Sequence, residues 1–349
     1  MASPPKIDID VPLGPLNTFG LPARARRLVR IETLDDARAL LDAGALADGA
    51  QILGGGSNTI FEADVDALVL HVAIGGRRLI TQDRAGWLVE AGGGEDWHGF
   101  VRWTVDRGWP GLENLSLIPG TVGAAPIQNI GAYGLEMAAH FDSLEALDLR
   151  SGGRRRFGRD ECGFGYRDSI FKGPESGHWL IGSVRFRLPR DWQPNLGYGE
   201  LAAELQGLGI ASPEPCQISD AVVSIRRRKL PDPARLGNAG SFFKNPVLDA
   251  AAFARFRRRW PDAPAFAQAG GAGKVAAGWL IERCGWKGRN LGPVGAYEKQ
   301  ALVLVNRGGA VGADVRRVAE AIRGDVRARF GIALEIEPVF VGGSERRRP

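Results

Sequence analysis

The chain has 349 residues, of which 44% are hydrophobic and 24% are charged, and its formal net charge is +5 at pH 7. That length allows two or three domains with substantial cores, and the composition is ordinary for a globular protein. No apolar run approaches the roughly 18 residues of a membrane span, so we expect no membrane partner. Residues 1–10 lack the apolar core of a signal peptide, and we therefore expect a cytoplasmic protein.

The N-terminal half alternates helical and extended patterns. Thr33-Leu34-Asp35-Asp36 is typical of a capping box and predicts a helix to about Leu46, and apolar residues at helical spacing predict a second helix over 96–107. Strands are predicted over 65–74, 86–91, 143–149 and 179–188. Residues 191–200 contain proline and glycine and are predicted to form a loop.

Two glycine-rich segments are the most informative part of this half. Residues 116–134, SLIPGTVGAAPIQNIGAYG, are rich in glycine and alanine and carry almost no charge. Such a segment fits a pocket in which backbone N–H groups hold an anionic cofactor, and its composition fits a tightly packed turn equally well. Residues 53–58, LGGGSN, follow a short apolar stretch and have the composition of a phosphate-binding nest. Two such loops indicate a dinucleotide, although neither is a Rossmann or Walker motif.

The C-terminal half is predicted to begin near Pro213-Glu214-Pro215. Helices are predicted around 219–229, over 275–283 and over 314–330, and strands over 301–305 and 334–341, with a glycine-rich segment at 237–241. Helices and strands alternate in both halves, which favours an α+β fold. We expect a first region over residues 1–212, with lobes of about 17–75 and 76–212, and a second domain over 213–349.

Four motifs occur in an order that one enzyme family shares: LGGGSN at 53–58, IPGTVGAAPIQNIGAYG at 118–134, GYRDSIFK at 165–172 and GNAGSFFKNP at 237–246. On these motifs the chain, from Asn17 to Phe340, resembles the UDP-N-acetylenolpyruvoylglucosamine reductases, flavoenzymes that make UDP-N-acetylmuramic acid for peptidoglycan. Residues 196–200, LGYGE, resemble an insertion of the longer, type I branch. The resemblance implies an FAD-binding domain of the vanillyl-alcohol-oxidase (PCMH) type and a C-terminal α+β substrate-binding domain.

The resemblance also implies the cofactors and the reaction. NADPH would reduce FAD, and the reduced flavin would pass hydride to the methylene carbon of an enolpyruvyl ether on a UDP-sugar. The FAD would lie against the two glycine loops. The residues implied as FAD-binding are Gly54, Gly55, Gly56, Ser57, Asn58, Ile118, Pro119, Gly120, Gly123, Ala124, Gln128, Asn129, Ile130, Gly131 and Ala132.

Three residues are implied as catalytic, because charge develops beside the substrate carboxylate and a proton must be supplied. Ser241 is the implied proton donor, although a serine that follows glycine is more often a turn or cap residue. Arg167 is suited to hold the carboxylate through its planar guanidinium, and an ion pair with Asp168 is the alternative.

Glu337 is the third implied catalytic residue. Glu335 and Glu337 lie two apart on a predicted strand and should point to the same face, either into solvent or with one acid buried and its pKa raised. The family motif selects Glu337. The chain departs from the family pattern directly afterwards, at Pro338-Val339, which weakens the match there.

The substrate-binding residues implied by the same matching are Tyr133, Tyr198, Lys229, Asn245 and Gln300. Tyr198 supplies a phenol and Lys229 a point charge, and both suit a diphosphate. Lys229 ends the basic run 226–229, and an ordinary surface position is the alternative for it.

Other classes of protein are less consistent with the sequence. The basic clusters at 154–156, 226–229, 257–259 and 346–348 are short and dispersed, so we expect mostly solvated surfaces and no nucleic-acid partner. Three cysteines and four histidines show no metal-ligand spacing, and we expect no metal. The remaining alternatives are another flavin oxidoreductase on the same cofactor fold and a non-enzymatic, basic nucleotide-binding protein. We expect a monomer.

Overall fold

The computed structural model describes residues 4–173 and 175–342. They form two compact units. The first unit contains the chain up to Val11, Ala25–Gly56 and Val65–Arg228, and the second contains Pro12–Arg24, Ser57–Asp64 and the chain from Lys229 onwards. The basic cluster at 346–348 and the first three residues of the N-terminal segment lie outside the described residues.

The secondary structure mixes helices and strands throughout. The α-helices of the described residues are α1 (Leu34–Asp42), α2 (Trp97–Val105), α3 (Gly199–Gly207), α4 (Pro215–Lys229), α5 (Ala250–Arg259), α6 (Ala277–Arg283) and α7 (Gly312–Phe330). The strands there are β1 (Ile7–Pro12), β2 (Arg24–Ile31), β3 (Ala50–Leu53), β4 (Thr59–Phe61), β5 (Leu68–Val72), β6 (Arg77–Gln82), β7 (Gly86–Gly92), β8 (Gly131–Ala132), β9 (Leu135–Glu136), β10 (Phe141–Asp148), β11 (Arg154–Gly158), β12 (Trp179–Pro189), β13 (Asn238–Ser241), β14 (Val247–Leu248), β15 (Ala265–Ala267), β16 (Gly273–Val275), β17 (Asn290–Leu291), β18 (Val294–Ala296), β19 (Val303–Asn306) and β20 (Val339–Val341).

The first unit contains two larger sheets. One has the strand order β1-β2-β5-β3, with β5 parallel to both β2 and β3, and α1 packs on it through the buried Leu40. The other is antiparallel, with the order β11-β10-β12-β7-β6, and packs against α2 through Trp97, Phe100 and Phe186. The predicted capping box is present, since Thr33 Oγ1 accepts from the nitrogen of Asp36 and the Asp36 carboxylate accepts from the nitrogen of Thr33.

The second unit contains an antiparallel sheet of order β13-β19-β18-β17, a three-stranded sheet β14-β16-β15 and the parallel pair β20-β4. Its core brings Phe242 and Phe243 together with Leu280 of α6 and Ile322 of α7, all of them fully or almost fully buried. The mixture of helices and sheets confirms the α+β fold class.

Several predicted elements need correction. The strand predicted over 334–341 is wrong for most of its length, because only β20 is a strand and Ile336 forms a single bridge with Phe243. Pro338 has no N–H to continue a ladder between them. Helix α3 begins inside the predicted loop 191–200, and the segment predicted only as glycine-rich includes β13.

The domain limits stay a prediction. The boundary expected at 212/213 falls before α4, whereas the division by contacts falls after Arg228, since α4 packs with α3 around Leu205 and Val222. Within the described residues, no helix combines the length and the apolar content that a bilayer crossing needs.

Candidate active site

The two predicted glycine loops lie against each other in the first unit. Gly54 and Gly55 follow the end of β3, a strand paired in parallel with β5. A Cβ on Gly54 would lie 2.7 Å from Thr121 Oγ1, and a Cβ on Gly55 would lie 3.2 Å from the Cα of Gly120. The approach of the loops therefore depends on the absence of side chains at these positions.

A third glycine segment, residues 92–94, packs against the second loop. The nitrogen of Gly123 donates to the carbonyl oxygen of Gly93 over 2.9 Å, and a Cβ on Gly123 would lie 2.8 Å from the Cα of Gly93. A Cβ on Gly93 itself would lie 2.3 Å from the carbonyl oxygen of Ile181. The sequence analysis missed this segment, although three consecutive glycines at the end of a predicted strand were a visible signal.

The remaining residues predicted to bind FAD follow the second loop. Ala124 and Gln128 lie in a 3₁₀ helix over Val122–Gln128, and Gly131 and Ala132 form β8, which pairs with β9. Ile118 and Pro119 precede that helix. Ser57 and Asn58, by contrast, belong to the second unit, so the first loop is divided between the units after Gly56.

Asn129 stabilises the second loop through its side chain. It adopts a left-handed conformation with φ 42° and is 1% exposed. Its Nδ2 donates to Glu136 Oε2 over 2.9 Å and to the carbonyl oxygen of Gly165 over 3.0 Å, and its Oδ1 accepts from the nitrogen of Ala138 over 3.1 Å. The amide is thus used to shape the loop.

The three glycine segments fit a dinucleotide such as FAD. A Cβ at position 54 or 123 would lie 2.7 or 2.8 Å from the facing segment, so the segments pack closely without side chains there, and glycine-rich backbone of this kind suits a diphosphate. If FAD is bound there, backbone N–H groups of these loops would hold it.

The side chain of Arg167 packs against the C-terminal part of the second loop. Arg167 has φ 54°, in the left-handed region, and its guanidinium donates to the carbonyl oxygens of Asn129, over 3.4 Å, and Gly131. The guanidinium also lies 5.6 Å from the centre of the Tyr166 ring. These contacts hold a cation next to the predicted cofactor loop.

A second cation, Arg226, lies in the same cluster and was missed by the sequence analysis. Its Nε donates to the carbonyl oxygen of Leu117 over 3.2 Å, and its guanidinium lies near the side chain of Tyr133. Burial lowers the pKa of the Arg226 guanidinium, Tyr133 raises it in part, and the nearby charge of Arg167 lowers it further. The sequence predicts Lys229 as the ligand from the run 226–229, but which member of a helical run points inward depends on how α4 packs.

Tyr133 and Tyr198 lie together beside these arginines. Their rings meet edge to face at 5.2 Å between centroids, and Tyr198 is 39% exposed at the start of α3. Burial raises the pKa of Tyr133 to about 12 against the opposing charge of Arg226. The phenol therefore stays protonated at neutral pH.

Lys229 is exposed at the end of α4, and its role as a ligand stays a prediction.

In the second unit, backbone pairing brings Ser241 close to Glu337. Ser241 ends β13 opposite Val303, and the next residue, Phe242, accepts a hydrogen bond from the nitrogen of Glu337 over 3.0 Å. Asn58 Nδ2 donates to the carbonyl oxygen of Glu337 over 3.3 Å. The Ser241 side chain is exposed, and its hydroxyl has no hydrogen-bond partner among residues 4–173 and 175–342.

Glu335 and Glu337 differ in exposure, which fits the predicted alternative with one shielded acid better than two solvated ones. Glu335 is exposed and pairs with Lys244 Nζ at 2.5 Å, whereas Glu337 is half-buried. The period of two applies only within a regular strand, and this segment is irregular.

Asn245 and Gln300 both lie at the start of α6. Asn245 Oδ1 accepts from the nitrogen of Ala277 over 2.9 Å. Gln300 Oε1 accepts from the nitrogen of Leu302 over 3.3 Å and would lie 3.0 Å from a Cβ on Gly278. Of the predicted catalytic and substrate-binding residues, the first unit contains Arg167, Tyr133 and Tyr198, and the second unit contains Lys229, Ser241, Asn245, Gln300 and Glu337.

Two family models match separate parts of the chain. Residues 25–158 match the family model described as FAD binding domain, and residues 232–341 match that described as UDP-N-acetylenolpyruvoylglucosamine reductase, C-terminal domain. The UDP-N-acetylenolpyruvoylglucosamine reductase of Azoarcus sp. (strain BH72) is 62% identical over 346 residues, which cover 98% of this chain and 99% of that protein. The protein of the same name from Burkholderia cenocepacia (strain HI2424) is 58% identical over 334 residues, 95% of each chain.

A solved structure supports the fold. The crystal structure of UDP-N-acetylenolpyruvylglucosamine reductase from Thermus caldophilus superimposes with a TM-score of 0.66 at 24% identity, and the match covers 96% of this chain and 99% of that one.

Proposed function

The chain belongs to the UDP-N-acetylenolpyruvoylglucosamine reductase family, and from this premise we propose how its own residues carry out the reduction with NADPH as the electron source. The protein is an FAD-dependent oxidoreductase of peptidoglycan synthesis. FAD held by the glycine loops would, in its reduced form, be the source of the hydride for the methylene carbon of the enolpyruvyl ether. The remaining tasks fall to the protein: to hold the anionic substrate, to stabilise developing charge and to deliver a proton.

Arg167 and Arg226 hold the negative charge of the substrate in this proposal. The two guanidiniums are close enough for the charge of Arg167 to lower the pKa of Arg226. They therefore form a cationic site that a bound anion would stabilise. The hydroxyl of Tyr133, near Arg226, keeps its proton at neutral pH and can donate a hydrogen bond to an anionic oxygen. Arg167 is assigned to the carboxylate, where charge grows in the transition state.

Ser241 delivers the proton to the carbon next to the carboxylate. The observation that carries this assignment is its exposed hydroxyl, which has no partner among the residues that the structure describes. A capping or turn serine would use its hydroxyl on the neighbouring backbone. Glu337, whose nitrogen bonds to the residue after Ser241, is assigned to stabilise the enolate-like intermediate.

The other predicted ligands hold the UDP-sugar. Tyr198 and Lys229 are assigned to the diphosphate, and Asn245 and Gln300, which each lie beside one of the first two residues of α6, to polar groups of the substrate. We place the reaction in the cytoplasm.

The test is a pair of anaerobic half-reactions on the purified holoenzyme. We expect NADPH to bleach the flavin absorbance, and the UDP-linked enolpyruvyl sugar to restore it with formation of one equivalent of UDP-N-acetylmuramate. UDP-N-acetylglucosamine, which lacks the enolpyruvyl group, is the matched control and should leave the flavin reduced. Reoxidation at equal rates by both sugars, or by neither, would contradict the proposal.

A further inference from the structure

Residues 115–117 connect helix α2 with helix α4 in the first unit. From α2, Trp97 Nε1 donates to the carbonyl oxygen of Leu115 over 2.9 Å, and His98 Nδ1 accepts from the nitrogen of Leu117 over 3.0 Å. On the α4 side, the hydroxyls of Ser116 and Ser219 lie 2.8 Å apart. The segment is therefore fixed by side chains of both helices at the point where the second glycine loop begins.

Leu117 is held in a conformation that leucine rarely adopts. Its φ is 59°, in the left-handed region, which costs free energy for a residue with a Cβ. Such a residue persists only when its surroundings determine it, and here its N–H is bound by His98 while its carbonyl oxygen accepts from Arg226 Nε over 3.2 Å. Leu117 therefore links the two side chains, because a shift of the His98 imidazole would move Leu117 and with it the acceptor of the Arg226 guanidinium.

We propose that His98 is a positioning residue for the anion site, which fixes Leu117 and through it Arg226, and that acidification releases Leu117 and weakens substrate binding. This inference rests on the proposed function, since it assumes that Arg226 binds the substrate. His98 contacts neither substrate nor cofactor in the proposal and acts only through Leu117.

The protonation state of His98 decides whether the contact exists. A neutral imidazole accepts at Nδ1 when its proton is on Nε2, whereas an imidazolium donates at both nitrogens and cannot accept from Leu117. The charged groups that face it are Asp96 and Arg102 from α2 and Arg226 and Arg227 from α4.

Burial lowers the pKa of His98, Asp96 raises it, and the three arginines lower it. Because the pKa in the folded protein lies below the ordinary value, the contact with Leu117 is complete at neutral and alkaline pH. The contact is lost as the pH falls below the ordinary pKa of histidine and through the lower pKa that His98 has in the folded protein.

Two substitutions of His98 distinguish the loss of the hydrogen-bond acceptor from the protonation of the imidazole. His98→Asn places a carboxamide that can accept from Leu117 but does not titrate, and His98→Phe keeps a ring but has no acceptor. His140→Asn is the matched control, since burial also lowers the pKa of that histidine in the same unit. Dissociation constants for the UDP-linked enolpyruvyl sugar are measured with oxidised holoenzyme by calorimetry, between about pH 8 and about pH 4.5, a range that extends below the one in which an ordinary histidine titrates because the pKa of His98 is lowered.

For His98→Phe we expect roughly tenfold weaker binding at all pH values, the usual effect of losing one hydrogen bond of about 1.4 kcal/mol. Wild type and His140→Asn should bind tightly at the alkaline end and lose roughly tenfold in affinity on acidification, and His98→Asn should bind tightly throughout that range. The rate of flavin reduction by NADPH should be unchanged in all of them. Unchanged affinity in His98→Phe, or a pH dependence in His98→Asn equal to that of wild type, would overturn the inference.

The tautomer provides a readout that is independent of substrate. In ¹⁵N spectra of imidazole-labelled holoenzyme we expect His98 to be neutral near pH 8, with the proton on Nε2 and Nδ1 unprotonated. A proton on Nδ1 would overturn the contact itself. If instead the tautomer is as expected but wild type fails to convert the enolpyruvyl sugar, the proposed function has failed and the assignment of His98 to Leu117 stands.

Discussion

The nitrogen of Gly123 donates to the carbonyl oxygen of Gly93 over 2.9 Å, and the two backbones are so close that a Cβ on Gly123 would lie 2.8 Å from the Cα of Gly93. Neither contact atom belongs to a side chain that could rotate away. Glycine at 123 is therefore required by the packing of one loop on another, in addition to any approach of the cofactor.

The first prediction concerns that contact. Gly123→Ala should shift the second loop away from Gly93 and reduce bound FAD, measured as the ratio of flavin to protein absorbance, to less than about a tenth of wild type, a loss of roughly 1.4 kcal/mol or more in binding. Gly207→Ala is the matched control, because no atom lies within 4 Å of a Cβ at that position in the same unit. A Gly123→Ala protein with full flavin content would show that this packing does not shape the cofactor site.

The glycine loops could be predicted from sequence because their composition is itself the physical requirement. Few sequences without glycine allow two backbones to approach so closely, so the glycine content of LGGGSN and IPGTVGAAPIQNIGAYG is enough to predict closely packed loops. Gly92 to Gly94 satisfied the same requirement and was overlooked, because it lay at the end of a predicted strand and outside the family motifs.

Arg226 shows what the sequence could not provide. The four consecutive basic residues 226–229 cannot be distinguished from their sequence alone. The packing of α4 decides that Arg226 reaches Tyr133 and Leu117 while Lys229 is exposed.

The second prediction distinguishes members of that basic run. Arg226→Met should raise the KM for the UDP-linked enolpyruvyl sugar by about 10- to 150-fold, since a hydrogen bond to a charged group contributes about 1.5–3 kcal/mol. Lys229→Met should also raise KM if the exposed lysine reaches the diphosphate. Arg227→Met, an exposed neighbour on α4, is the control and should change KM by less than about threefold, as expected of a surface charge. In all three variants the rate of flavin reduction by NADPH should match wild type, and slowing of both half-reactions would place the residue at the nicotinamide or in the fold.

The third prediction concerns the second unit. Arg316 donates from Nε and Nη2 to the two carboxylate oxygens of Glu62, at 2.5 and 2.6 Å, and its guanidinium lies 4.3 Å from the centre of the Phe340 ring. The pair is largely shielded, with Glu62 12% and Arg316 32% exposed, and it fastens β4 to α7. Glu62→Gln should therefore lower the free energy of opening of β4 by about 1–3 kcal/mol, measured by native-state hydrogen exchange of residues 59–61.

The control for that measurement is a solvent-exposed pair on α7. Glu320 and Arg323 are 49% and 40% exposed, and such pairs contribute about 0–1 kcal/mol. Glu320→Gln should leave exchange at 59–61 unchanged. Equal effects of the two substitutions would mean that the Glu62 pair is no more than another surface contact.

The fourth prediction tests the proton donor. Ser241 is exposed at the end of β13 and its hydroxyl has no partner in the described part of the chain, so its removal should not disturb the fold. Ser241→Ala should reduce its flavin with NADPH at the wild-type rate and slow the reoxidation by the enolpyruvyl sugar by about 10²- to 10⁴-fold, the usual contribution of a positioned general acid. Ser241→Cys supplies a better acid of similar size and should retain more activity than alanine, which a merely structural serine would not require. Stopped-flow traces of the two half-reactions decide the matter, because reoxidation of Ser241→Ala at the wild-type rate would remove Ser241 from the mechanism.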